Sequence, residues 1–196
     1  MLKQNLEKNG FDVIFVETKE EALETAKNFI KDDMKIGLGG SVTVGQIGLL
    51  SYLLDHKNLD VCNQYEAGIS MEENTRRRRE GILSDLFISG CNAITKNGEL
   101  VNADGSGNRV AAQIFGPKKV LLIAGKNKIV DTLEDGFKRI MEVAAVKNID
   151  RMNQKSIEMN KEPRHNLDNI ANKFAYINGD VPNRTTIIII NEDLGY

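Results

Sequence analysis

The chain has 196 residues, 41% hydrophobic and 28% charged, a balance that suits one globular domain of ordinary size. Its 26 basic and 28 acidic residues leave a formal charge of −2, without the one-signed field that nucleic acid or an anionic membrane surface demands. No apolar run approaches the roughly 20 residues of a membrane span. The polar opening, Met1-Leu2-Lys3-Gln4-Asn5, has no apolar leader, so a cytoplasmic protein is expected.

Phe11–Val16 (FDVIFV) predicts the first strand, and Glu20–Ile30 a helix with Thr18 as its N-cap. Lys35–Leu38 predicts a strand running into Gly39-Gly40, followed by a helix from about Val44 to Leu54 and a brief strand at Leu59–Cys62. Ser70–Gly81 is polar and helical and holds Arg76-Arg77-Arg78-Arg79. Asp85–Ser89 predicts a buried strand, and Asn97-Gly98 a hairpin turn between two short strands. After the loop Ala103–Asn108 come a helical turn at Val110–Phe115, a strand at Lys119–Ala124 and a long amphipathic helix at Val130–Val146.

Lys147–Asp180 is polar and weakly periodic; Thr185–Ile190 (TTIIII) then demands burial or pairing, because exposed it would invite aggregation. Strands alternating with helices predict an α/β fold with a mostly parallel sheet flanked by helices, as a single domain over residues 1–196. Cys62 and Cys91 form no CxxC pair and read as reduced core residues; no metal site is expected.

Two glycine-rich segments carry the functional argument. At Gly39-Gly40-Ser41-Val42-Thr43 a strand meets a helix through a turn whose glycines allow close approach and whose hydroxyls and free amides favour an anion. The same residues also suit a plain strand-to-helix connection in which Ser41 and Thr43 only cap. Neither a P-loop nor a GxGxxG turn is present.

The second segment, Asn102-Ala103-Asp104-Gly105-Ser106-Gly107-Asn108-Arg109, offers Asp104 to a ligand hydroxyl and Asn108 and Arg109 to a carboxylate or phosphate. A solvated loop satisfying its own backbone is the competing reading. Loops at strand C-termini of an open sheet meet at one rim, so the two segments are expected to share a crevice.

Elsewhere, the four arginines point around a helix rather than along one face, and Glu72, Glu73 and Glu80 offset them. His56 and His165 have no nucleophile motif beside them. Glu66 and Glu99 are the two candidates for an acyl-accepting glutamate, if the chain is a transferase.

The run GCNAITKNGELVNADGSGNRVAAQIFGPKKVLLIAGKNKIV (Gly90–Val130) resembles the signature of the LUD domain, the lactate-utilisation family that includes LutC-like and YkgG-like proteins. GGSVTVGQIGLL and the closing PNRTTIIIINEDLGY are similar to that family's earlier turn and final strand. The resemblance implies the fold of sugar-phosphate isomerases, amino-sugar-phosphate deaminases and coenzyme A transferases. It implies an anion site lined by Gly39, Gly40, Ser41 and Thr43, faced by Asn102, Asp104, Gly105, Gly107, Asn108 and Arg109.

It further implies a small anionic metabolite as ligand, lactate oxidation to pyruvate as context and iron–sulfur proteins as partners. No cofactor and no catalytic residue is specified, and a homodimer is the base-rate expectation. A non-catalytic subunit docking a redox partner, and a transferase or isomerase, are the alternatives. Relatives that carry a cysteine cluster before the last strand differ from this chain, whose segment Asn148–Asn183 has no cysteine.

Overall fold

The computed structural model describes residues 1–56 and 58–196. In chain order the strands are β1 (Asp12–Val16), β2 (Lys35–Leu38), β3 (Asp60–Val61), β4 (Leu86–Gly90), β5 (Ala93–Thr95), β6 (Leu100–Asp104), β7 (Lys119–Gly125), β8 (Ile129–Val130), β9 (Lys173–Ile177) and β10 (Thr185–Ile190). The helices are α1 (Leu2–Lys8), α2 (Lys19–Lys27), α3 (Val42–Gln46), α4 (Leu49–Asp55), α5 (Met71–Ile82), α6 (Asn108–Ile114), α7 (Leu133–Arg139), α8 (Ala145–Glu158) and α9 (Leu167–Ile170).

Six strands form one wholly parallel sheet in the order β1-β10-β7-β4-β2-β3. A second, four-stranded sheet runs β8-β5-β6-β9. Alternation along the parallel strands sends Ile36, Leu38, Leu86, Ile88, Leu121, Ile123, Ile188 and Ile190 to one face, where Ala22, Ala26, Val44, Leu49 and Leu53 of α2, α3 and α4 cover them. The other face, with Val13, Val120, Leu122, Ile187 and Ile189, packs on α1 and on Ile94 and Leu100 of the second sheet.

The second sheet's outer side, through Ala93, Val101 and Ala103, packs on Ile140, Ala145 and Ile170. The predicted mostly parallel sheet flanked by helices is present, and one of its flanks is in large part a second sheet. Among the described residues no helix is long and apolar enough to cross a membrane.

Thr185–Ile190 lies between β1 and β7, with every residue buried, which resolves its exposure hazard. Several boundaries differ from the sequence reading. The predicted Val44–Leu54 helix is two helices, because Gly48 at φ 80° breaks it.

The predicted Val130–Val146 helix starts later, where Thr132 and Asp135 form a capping box, and runs through a π-helical turn at Ile140–Ala144 into α8. Lys147–Asp180 is more ordered than its composition suggests. Ile149 and Met152 give α8 an apolar side, and β9 pairs antiparallel with β6.

Ile188 is wholly buried in a central strand, so Ile188→Ala leaves a cavity that rigid neighbouring strands cannot close. A loss of about 2–5 kcal/mol is expected, read as a lower urea midpoint at unchanged slope. A loss under about 1 kcal/mol would mean that the helical layer collapses into the gap.

Candidate functional site

The chain leaves β2 outward to β3 but leaves β4 in the opposite direction, toward β7. The carboxyl ends of β2 and β4 therefore flank a topological switch point, where open α/β sheets form their crevice. Glycine brings the two ends together. A Cβ on Gly39 would lie 2.6 Å from Ser89 Oγ and 3.0 Å from Arg109 Cγ, and one on Gly90 would lie 2.5 Å from Ser41 Oγ. Only residues without a side chain let Ser41 and Arg109 close over the strand ends.

Within the first turn the residues divide. Gly40 is exposed, with the Tyr65 hydroxyl 3.9 Å from where its Cβ would stand. Ser41 caps α3, its Oγ accepting from the Val44 amide at 3.2 Å. Thr43 is fully buried: its Oγ1 accepts from Lys128 Nζ at 2.9 Å and donates to the Leu194 carbonyl at 3.4 Å.

The second segment does reach this rim, though not as a loop of the parallel sheet. It ends β6, a strand of the second sheet, and comes back through Arg109 of α6. Arg109 is 6% exposed and all five of its side-chain N–H groups are taken. Nε donates to Asp104 at 3.0 Å, Nη1 to the Gly90 carbonyl at 3.1 Å and to Asn102 Oδ1 at 2.8 Å, and Nη2 to Asn92 Oδ1 at 2.6 Å and the Ala103 carbonyl at 2.7 Å.

No donor of Arg109 is left to orient a ligand, the role expected of it from sequence; here it ties β4 to β6. Asn102 is likewise committed, to the Asn92 amide, Arg109 and Cys91 Sγ. Asp104 caps α6 by accepting from the amides of Arg109 and Val110.

Gly107, at φ 93°, turns the chain into α6, and Gly105 has no room for a side chain beside the Asn169 carbonyl. Asn108, half-buried at the start of α6, is the member of this segment whose side chain remains uncommitted. Arg78 donates to Ser106 Oγ at 3.1 Å, so one arginine of the four-residue run does reach the rim. Arg76 and Arg77 pair with Glu73, Glu80 and Glu66.

Neither candidate glutamate is free. Glu66 is bound by Arg77, and Glu99 accepts from Thr95 Oγ1 at 2.6 Å and the Tyr176 hydroxyl at 2.9 Å. Glu99 also stands at the far end of β6, five residues or roughly 17 Å from Asp104. Among the described residues no group of three His, Cys, Asp or Glu side chains gathers as a metal site.

Sequence reasoning missed Lys128, Arg139 and Asn92. Lys128 follows β7 on the same rim, is 3% exposed and has no ion-pair partner among the described residues. Burial, reinforced by Arg139 and Arg109, drives its pKa down to about 7. Arg139 donates to the backbone carbonyls of Asn92 (2.6 Å) and Asn127 (3.0 Å), and burial lowers its pKa too.

Asn92 therefore bridges Arg109 and Arg139. The only hint in the sequence was position: Lys126-Asn127-Lys128 follows an apolar strand, where two lysines ordinarily read as a solvated loop. Leu194–Tyr196 lies across this cluster, held by Asn127 on Leu194 and Gly195, Gln46 on Gly195 and Arg151 on Tyr196.

A parallel sheet backed by a second sheet, with buried cations gathered near its switch point, defines an α/β protein of the open-sheet class. The chain belongs to the LUD domain family, whose model matches residues 1–190. It is similar in structure to a DUF162 family protein from Deinococcus radiodurans, with 15% identity, 97% of this chain and 94% of that one covered and a TM-score of 0.50.

Similarity also extends to ribose 5-phosphate isomerase A from Neisseria gonorrhoeae (19% identity, 59% and 54% covered, TM-score 0.38). Ribose 5-phosphate isomerase A from Methanocaldococcus jannaschii is a further relative in fold comparison (15%, 68% and 66%, 0.38). No curated protein matches the chain.

Removing Arg109 takes the paired cation from the Asp104 carboxylate and one donor each from Asn102, Asn92 and the carbonyls of Gly90 and Ala103. Arg109→Met is expected to cost about 3–5 kcal/mol in chemical denaturation, and Arg109→Lys, which lacks the planar fork, to recover little of it. A near-native Arg109→Met would refute the tying role.

Lys128 yields a pH prediction. Its folded pKa lies below the unfolded value of 10.5, so between about pH 7 and that value the unfolded chain binds the extra proton and stability rises with pH. At neutral pH the penalty is about 5 kcal/mol at most. Lys128→Met is expected to be the more stable protein at about pH 7, the difference fading toward pH 10. Using the variant as reference cancels Cys91, whose thiol is pushed up by burial. Parallel stability curves for the two proteins would refute it.

Proposed function

We propose that this LUD-family chain binds a small organic-acid anion at the switch-point crevice and serves lactate or related organic-acid utilisation. One observation carries the reading. Arg109, Lys128 and Arg139 gather beyond the ends of β4 and β7 around Cys91 and Asn92, and among the described residues Asp104 is the single carboxylate bound to any of them. With Arg109 neutralised by Asp104, two buried or half-buried cations have no counter-ion, a deficit that an entering carboxylate or phosphate would fill.

In this reading Gly40, Ser41 and Asn108 meet the ligand from the outside, joined by Tyr65 and Arg78. Thr43 and Lys128 lie deeper, while Gly39, Asn102, Asp104, Gly105, Gly107 and Arg109 shape the rim. Glu66 and Glu99 are both engaged elsewhere, which favours binding over the glutamate-dependent transferase or isomerase alternative.

A second reading has its own observation. Segment 147–183 exposes Ile157, Met159, Leu167 and Val181, and Met152 and Met159 line a groove of about 550 Å³ with Lys155, Lys161 and Arg164. Such a surface suits a protein partner, here an iron–sulfur protein, and a non-catalytic role for the chain.

Thermal-shift measurements with lactate, pyruvate, ribose 5-phosphate and coenzyme A test the first reading. An anion that raises the unfolding temperature of the wild type, and does so less in Lys128→Met, supports it. No shift from any of them, with a stable complex formed with an iron–sulfur protein, would instead favour the docking role.

A further inference from the structure

The ammonium or amine of Lys128 sits in surroundings that do little to hold a charge. It is buried, its one hydrogen-bond partner among the described residues is Thr43 Oγ1, and its charged or titratable neighbours are Arg109 and Arg139, of like charge, and the Cys91 thiol. Thr43 commits its hydroxyl hydrogen to the Leu194 carbonyl, so it can only accept from Lys128. The lone pair of a neutral Lys128 amine is thereby left without a donor, the condition of a nucleophile.

We infer that Lys128 is an amine nucleophile that forms an imine with a 2-oxo acid drawn into this cluster. The inference rests on the organic-acid reading above and adds the chemical class of the ligand. An amine selects a carbonyl carbon, and the uncompensated Arg139 beside it selects a carboxylate. The smallest molecule that carries both on adjacent carbons is a 2-oxo acid.

The step balances without a co-reactant. Lys128 Nζ attacks the carbonyl carbon, and the C=O π pair moves to oxygen, giving a carbinolamine. Loss of that oxygen as water, with the two amine hydrogens, leaves the C=N bond. Folding has already lowered the barrier to this chemistry. At pH 7 an ordinary lysine is neutral in roughly one molecule in three thousand, whereas Lys128, with its pKa near 7, is neutral in about half.

Access is governed by the last residues of the chain. A Cβ on Gly195, whose φ is 61°, would lie 3.2 Å from Lys128 Nζ and would collide with Thr43 Oγ1. Gly195→Ala therefore lifts the Leu194–Tyr196 cover rather than filling a space.

The test is reductive trapping. The full chain is incubated with pyruvate and cyanoborohydride, which reduces the imine to a stable secondary amine, and labelled peptides are mapped by mass spectrometry. Expected is label on Lys128 at least about tenfold ahead of exposed lysines such as Lys155 and Lys161, despite its burial, because its pKa near 7 leaves much of its amine neutral. Labelling should quicken as pH rises through about 7, and Gly195→Ala should quicken it further.

Label distributed by exposure, with none on Lys128 in either the wild type or Gly195→Ala, overturns the inference. Lactate, which has a hydroxyl where pyruvate has its ketone, separates it from the binding reading. If lactate raises the unfolding temperature while pyruvate leaves Lys128 unlabelled, anion binding stands and imine formation falls. If lactate and pyruvate neither stabilise nor label, both fall.

Discussion

The five-donor fork of Arg109 is the interaction on which the rest of the architecture depends. Burying a guanidinium costs several kcal/mol unless every N–H finds an acceptor, and here each one does. Those acceptors come from the end of β4, from Asn92 just beyond it and from the last three residues of β6. The second sheet is therefore clamped to the first at the one corner where the switch point opens. Gly39 and Gly90 are consequences of that clamp, since any side chain at either would push Arg109 or Ser41 away.

With Arg109 paired to Asp104, the net positive character of the corner comes from Lys128 and Arg139. Burial depresses both pKa values, and for Lys128 repulsion by Arg139 and Arg109 adds to it. An anion that enters would oppose this repulsion and draw a proton onto Lys128, so anion affinity and protonation are linked reciprocally. A carbonyl-bearing acid interrupts that logic, because it consumes the neutral amine before the proton arrives. The distinction between an anion that is merely held and one that reacts thus reduces to the state of one nitrogen.

Much of the fold was legible because strands buried on both faces read as unbroken apolar runs. Those of Lys35–Leu38, Lys119–Ala124 and Thr185–Ile190 match the buried parallel strands, and Thr18 caps the helix it was expected to cap. Of the second sheet only the β5–β6 hairpin was legible, through Asn97-Gly98. Its strands are short, β9 carries exposed Phe174 and Tyr176, and the pairing of β6 with β9 spans some seventy residues that no local pattern encodes.

At the site, the glycines were readable because closeness needs them, whereas the fate of Arg109 was not. A sequence shows that an arginine follows a polar loop; it does not show that five acceptors converge on it. Lys128 escaped for the opposite reason, since a lysine in a loop is almost always solvated.

The cover over Lys128 has an energetic consequence. Leu194–Tyr196 is held by six side-chain hydrogen bonds and by burial of Leu194. Uncovering Lys128 breaks bonds of this set and exposes apolar surface. A ligand met only at Gly40, Ser41, Tyr65 and Asn108 need not meet that cost, whereas one that reaches Lys128 must. On the proposed reading the site would have an outer tier met by any small anion and an inner tier for ligands whose interactions with Lys128 and Arg139 exceed the cost of lifting Gly195 off Thr43. Selectivity in such a site comes from the depth a ligand can reach rather than from the number of groups it touches at the mouth.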